Sequence, residues 1–154
     1  MIPKLILIKE IPKTLPPQAI KKAVEDFLVD VGFTNQEGHL SHTLQKIANA
    51  TYLRGNGDFW VAVENSEIVS YVLAHYDVCF DNQLTYWVTQ AWVSEKLRGT
   101  EFTKESWTSI QNHAKRQLCR HIAVTTIHDE DVFCRFLGGG FEKYANILVT
   151  DLDG

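Results

Sequence analysis

The spacing of apolar positions changes along this chain, and each change predicts an element. Residues 5–8, Leu-Ile-Leu-Ile, form a short unbroken apolar run closed by Pro12 and the Pro16-Pro17 pair, as a buried strand would be. From Gln18 the period becomes helical. Ile20, Ala23, Val24, Phe27, Leu28 and Val31 fall on one face, and Gly32 sits where a C-terminal cap belongs. A second helix carries Leu40, Leu44, Ile47, Ala48 and Thr51 and ends before Gly55-Asn56-Gly57. Strands at 59–63 and 68–76 then flank Glu64-Asn65-Ser66-Glu67, a polar tetrapeptide suited to a hairpin.

Leu84–Val93 is apolar on both faces, which predicts a central strand. Phe102, Trp107, Ile110, Ala114 and Leu118 make the stripe of an amphipathic helix, and 122–127 is a further strand. Asp129 is placed to cap a short helix through Phe136, which Gly138-Gly139-Gly140 stops before a last strand at 141–150. The predicted order is β-α-α-β-β-β-α-β-α-β. It describes an α/β fold of one domain over residues 1–154, with a mixed sheet. A right-handed crossover makes 84–93 and 122–127 parallel. No repeat, low-complexity tract or linker interrupts it.

Composition narrows the class. Of the 154 residues 45% are hydrophobic, with four Trp, five Tyr and eight Phe, which excludes a disordered chain. Net charge is −4, so there is no overall basic field to attract nucleic acid; Lys96 with Arg98, and Lys115, Arg116 and Arg120, are local basic spots only. Cys79, Cys119 and Cys134 are odd in number and contain no C-x-x-C pair, so neither a disulfide framework nor a zinc ribbon is expected. His113, Cys119, His121 and His128 fit no usual metal-ligand spacing. The N-terminal apolar run is too short for a signal peptide or a membrane span, and a cytoplasmic location is the expectation.

Two segments bear on chemistry. Trp92-Val93-Ser94-Glu95-Lys96-Leu97-Arg98-Gly99 runs from a strand end into a loop before a helix, and Arg135-Phe136-Leu137-Gly138-Gly139-Gly140-Phe141 precedes the final strand. With the element order, these resemble the GCN5-related N-acetyltransferase (GNAT) superfamily. The first is similar to the strand end and pyrophosphate loop of that family, and the second to its Phe-Tyr-x-x-x-Gly-Phe segment. The resemblance implies acetyl-CoA as co-substrate and direct acetyl transfer to an amine of a small molecule or a protein. It also implies that the backbone of Trp92 and Val93 pairs with the pantetheine arm. Arg98, Gly99, Thr100, Glu101, Phe102 and Thr103 would then hold the pyrophosphate, since helix N-termini offer orphan N–H donors to anions.

The sequence departs from the family pattern at three places. Glu101 and Thr103 stand where the loop has its later glycines, and Glu101 brings a carboxylate beside a doubly charged group. Phe136 stands where a Tyr often protonates the departing thiolate, which leaves Tyr144 as the nearest phenol in sequence. No acid lies inside Leu84–Val93, so Glu95 and His75, with Asp77, are the candidates for general base. The commoner reading of His75 is a half-buried strand histidine, and that of Glu95 a solvated loop carboxylate. Cys134 reads as core packing. The acceptor pocket would lie between the two N-terminal helices and the loop at 79–83, near Tyr52, Phe59, Tyr76 and Phe80. A catalytically inactive member of the fold, acting as a binding, assembly or regulatory module, is the alternative reading.

Overall fold

The expected order of elements runs through all the residues that the computed structural model describes, which are 2–32, 36–51, 55–79, 81–125 and Thr150. Strand β1 (Ile6–Ile8) is followed by helices α1 (Pro17–Asp30) and α2 (Gln36–Thr51). Strands β2 (Gly57–Glu64), β3 (Glu67–Val78) and β4 (Leu84–Val93) come next. A single 3-10 turn at Glu95–Leu97 leads into α3 (Glu101–Arg116), and β5 (His121–Val124) follows. The helix expected after Asp129, the triple glycine and the last strand lie outside the described residues, except Thr150.

The strands form one five-stranded sheet in the order β1-β2-β3-β4-β5. The first three pairings are antiparallel and β4–β5 is parallel, as the crossover requires. Local chemistry explains the joints. Pro16 and Pro17 open α1, where a missing N–H costs nothing, and Gly32 closes it at φ +76°. Asn65 and Ser66 both take positive φ, 53° and 63°, giving the β2–β3 hairpin a turn of primed type that matches the twist of its strands.

Each face of the sheet buries a core. Ile20, Val24 and Leu28 of α1 and Ile47 of α2 pack with Phe59, Tyr71, Leu73 and Trp92 on one face. On the other, Phe102, Ile110 and Ala114 of α3 pack with Trp60, Val72, Tyr86 and Val88. Two details differ from the sequence reading. Strand β4 carries a bulge: Leu73 faces Gln90 but Ala74 faces Val88, so Thr89 has no opposite number on β3. Helix α3 ends at Arg116, and Leu118, expected in its apolar stripe, is instead 84% exposed at φ +62°. The cause is a Schellman closure. Cys119 N–H donates to Ala114 O and Leu118 N–H to Lys115 O, turning the chain out of the helix at Leu118.

Candidate active site

Strand β5 pairs with β4 only from Thr85 to Val88, among the described residues. The bulge at Thr89 follows at once, and beyond it the outer edge of β4 borders a cavity of about 400 Å³. That volume suits a small ligand. The walls are mainly apolar: Val88 and Ala91 of β4, Val124 of β5, and Phe102, Trp107 and Ile110 along α3. Trp92, Val93, Arg98 and Thr103 line it too, so five of the residues expected at the cofactor site, counting Phe102, border one cavity.

The loop at its mouth is built by short-range bonds. Leu97 is buried and anchors the 3-10 turn. Gly99 adopts φ +72°, and a side chain there would meet nothing within 4 Å, so that face of the loop is open. Thr100 caps α3. Its Oγ1 donates to Leu97 O at 2.7 Å and accepts from Phe102 N–H at 3.3 Å, while Thr103 N–H donates to Thr100 O at 3.3 Å. The N–H groups of Phe102 and Thr103 are thus already engaged. Phe102 puts its ring into the α3 core. The Thr103 side chain differs: it is 7% exposed, lines the cavity, and its Oγ1 has no hydrogen-bond partner among the described residues. Glu101 does not line the cavity. It is exposed, with its carboxylate 3.9 Å from Lys104 Nζ.

Arg98 is held at two points. Its Nε donates to Val93 O at 2.9 Å and its Nη2 to Asp30 Oδ2 at 2.5 Å. Trp92 Nε1 donates to the same Asp30 oxygen at 2.9 Å, and Trp92 O accepts from Ser70 Oγ at 2.8 Å. Asp30, in the last turn of α1, is a site residue that the hydrophobic pattern does not reveal.

Of the three candidates for a base, all described, His75 and Asp77 share β3 and Glu95 is not brought to them. His75 sits on β3 opposite Trp87, against whose ring it stacks at 6.5 Å and 10°. Burial pushes its imidazole below the ordinary value; Asp77 opposes this and Lys46 adds to it. Glu95 lies beyond the far end of β4, exposed, and lines a separate polar cleft of about 300 Å³. The six-residue advance from Trp87 to Val93 spans about 20 Å of strand, so one reacting amine cannot meet both. Tyr144, Phe136, Cys134, Tyr52 and Phe80 lie outside the described residues.

A buried polar cluster under α3 was not anticipated. Asp58, fully buried, accepts from Tyr76 and Tyr86 hydroxyls at 2.8 Å each and from Lys9 Nζ at 2.5 Å, and its Oδ2 lies 3.0 Å from His113 Nε2. Trp60 Nε1 donates to Tyr86 Oη at 2.8 Å. Burial pushes the Asp58 carboxyl up, but the bonds from Lys9, Tyr76 and Tyr86 outweigh it and hold the group below the usual range. Burial drives the Tyr76 and Tyr86 phenols far above theirs, and Asp58 adds to both shifts. Of the described cysteines, Cys79 and Cys119 are free, and burial, then Asp58, pushes the Cys119 thiol up. No group of three His, Cys, Asp or Glu is arranged to hold a metal among the described residues, and no described helix is long and apolar enough to cross a membrane.

The mixed five-stranded sheet, with its parallel β4–β5 pair and its helices, has the fold of the GNAT acetyltransferases. Particular solved structures share it over nearly the whole chain. An aminoglycoside acetyltransferase from an uncultured soil metagenomic sample, in complex with trehalose, superposes with a TM-score of 0.70 at 16% identity, covering 97% of this chain and 96% of that one. A predicted acetyltransferase from Clostridium acetobutylicum with acetyl-CoA gives 0.67 at 15%, covering 98% and 97%. A transcriptional regulator from Bacillus halodurans gives 0.67 at 15%, covering 98% and 100%. Identities this low establish a shared fold and transfer no residue's role. No family model matches the sequence, and no curated protein does.

Proposed function

We propose that the chain is an acetyl-CoA-dependent N-acetyltransferase whose β4-edge cavity takes the acyl-pantetheine arm and whose acceptor is an amine of a small molecule or a protein. One observation carries this reading: the buried Thr103 hydroxyl, without a hydrogen-bond partner among the described residues, in the wall of an apolar cavity at the start of α3. A native interior rarely leaves such a group unpaired, and a polar ligand atom would satisfy it. Val93 and Trp92 would offer main chain to the arm, Arg98 would face the phosphates, and Gly99 would leave the approach open. The thioester then reaches back along β4 toward the bulge.

The reaction is direct transfer. The neutral amine attacks the thioester carbonyl, the N–C bond forms, the C–S bond breaks, and the CoA thiolate leaves. His75 is assigned the proton-accepting role in preference to Glu95, because it lies near the bulge end of β4 and its lowered value keeps it neutral at pH 7. Tyr144 keeps the role of proton donor to the thiolate.

A second reading is favoured by different features. The engaged N–H groups of Phe102 and Thr103, and the Glu101 carboxylate at the helix start, both weaken an anion site, as expected of a non-catalytic binding or regulatory module. Calorimetric titration with acetyl-CoA, alongside a thiol-release assay over a panel of amines, separates the two. Thr103→Val is expected to weaken acetyl-CoA about fivefold, the loss of one neutral hydrogen bond. No binding by the unaltered protein and no thiol release with any amine would leave only the second reading.

A further inference from the structure

We infer that Asp30 is the positioning residue for Arg98, fixing the guanidinium at the cavity mouth for the phosphate-bearing end of the ligand. This rests on the reading that the cavity takes acetyl-CoA.

Three observations carry the inference. Asp30 Oδ2 receives two donors from two segments, Trp92 Nε1 of β4 and Arg98 Nη2 of the loop, so one oxygen ties α1 to both. Arg98 has a second tether, from Nε to Val93 O, and two fixed points on a planar fork set its orientation. A guanidinium carries five N–H donors, and these bonds use two, which leaves the rest to an anion. Finally, Asp30 and Arg98 both line the apolar cavity and the polar cleft beside it, so the pair forms part of the wall between them.

Energetics argue against a role in holding the fold. The Asp30 and Arg98 side chains are 42% and 45% exposed, and ion pairs that wet add little to stability. What the pair does supply is geometry. A carboxylate at the mouth of a phosphate site would repel the ligand if it stood alone; here it is matched to a cation whose position it sets. Lysine cannot take over the arginine's part, because a single ammonium on a flexible stem does not reach Val93 O and Asp30 in one fixed plane.

The test is a double-mutant cycle on the full chain, with affinity for acetyl-CoA and for acetyl-pantetheine, which has the same thioester arm and no phosphate. Asp30→Ala is expected to weaken acetyl-CoA about fivefold, the scale of one charge-assisted contact misaligned. It should weaken acetyl-pantetheine much less than acetyl-CoA, and lower the melting temperature only by what the lost Trp92 Nε1 bond costs. Asp30→Ala with Arg98→Ala together should bind no more weakly than Arg98→Ala alone. Arg98→Lys should behave like Asp30→Ala. The inference is overturned if Asp30→Ala leaves acetyl-CoA affinity unchanged or tightens it, if both ligands weaken alike, or if the two losses add. Should the unaltered protein bind neither ligand, the cofactor reading falls and takes this one with it; binding that ignores Asp30 removes this one alone.

Discussion

Asp58 is the residue on which most of the polar chemistry of the interior converges. It is the second residue of β2, directly after Gly55-Asn56-Gly57, where an acid reads as an ordinary turn residue, and only the fold brings Lys9, Tyr76, Tyr86 and His113 to it. Asp58→Ala leaves those donors without an acceptor in a closed site, and the expected cost is about 3 kcal/mol, in the range for removing one partner of a buried pair. The pH dependence has a definite sign. Because the folded carboxyl titrates below the unfolded value of about 3.9, the unfolded state takes up the proton first as pH falls. Asp58 therefore contributes stability above pH 4 and loses it as pH drops through the lower folded value. Urea unfolding at pH 7 and at pH 3 should show a smaller difference for Asp58→Ala than for the unaltered chain. An equal difference would mean that other carboxylates carry the acid limb.

At the scale of elements, the end of α3 shows what a period can and cannot reveal. Leu118 completes the series 102, 107, 110, 114 by residue type, so the hydrophobic pattern includes it; the Schellman bonds of Cys119 and Leu118 exclude it. Leucine in a left-handed conformation costs roughly 1 kcal/mol, and here it also leaves a large apolar side chain in solvent. Leu118→Gly is expected to stabilise the protein by about 1 kcal/mol, read as a higher melting temperature. A fall would show that the exposed leucine makes a contact that compensates for its backbone. Other boundaries moved by a turn or less. Helix α2 starts at Gln36, ahead of its first apolar marker, because Gln36, Glu37, Gly38 and His39 are not apolar and carry no period. The hairpin and the parallel crossover were legible because both rest on local signals, turn residues and alternation. The site was legible only where it is local. Trp92, Val93, Arg98 and Thr103 are near neighbours in sequence and border one cavity. Asp30, 68 positions from its arginine, is joined to it only by tertiary contact.

Across the whole molecule, the sheet separates two cores, and β4 has to serve both while forming the edge of a cavity. Thr89 makes that possible. Before it, Tyr86 and Val88 belong to the α3 core; after it, Gln90 bonds to Tyr71 and Thr43 and Trp92 belongs to the α1–α2 core, while Ala91 and Val93 take the cavity side. In a strict two-residue alternation those four would exchange faces. The gene should therefore tolerate spelling changes at codon 89 far better than a change of length. Thr89→Val keeps the count of residues and should leave a folded, ligand-binding protein. Deleting Thr89 alone would swing the Trp92 indole away from Asp30 and press Gln90 into an apolar layer. A selection that scores every substitution and every one-codon deletion along β4 should therefore show tolerance of substitutions at this position beside intolerance of its deletion. Survival of the deletion with acetyl-CoA binding intact would mean that the strand can re-phase elsewhere.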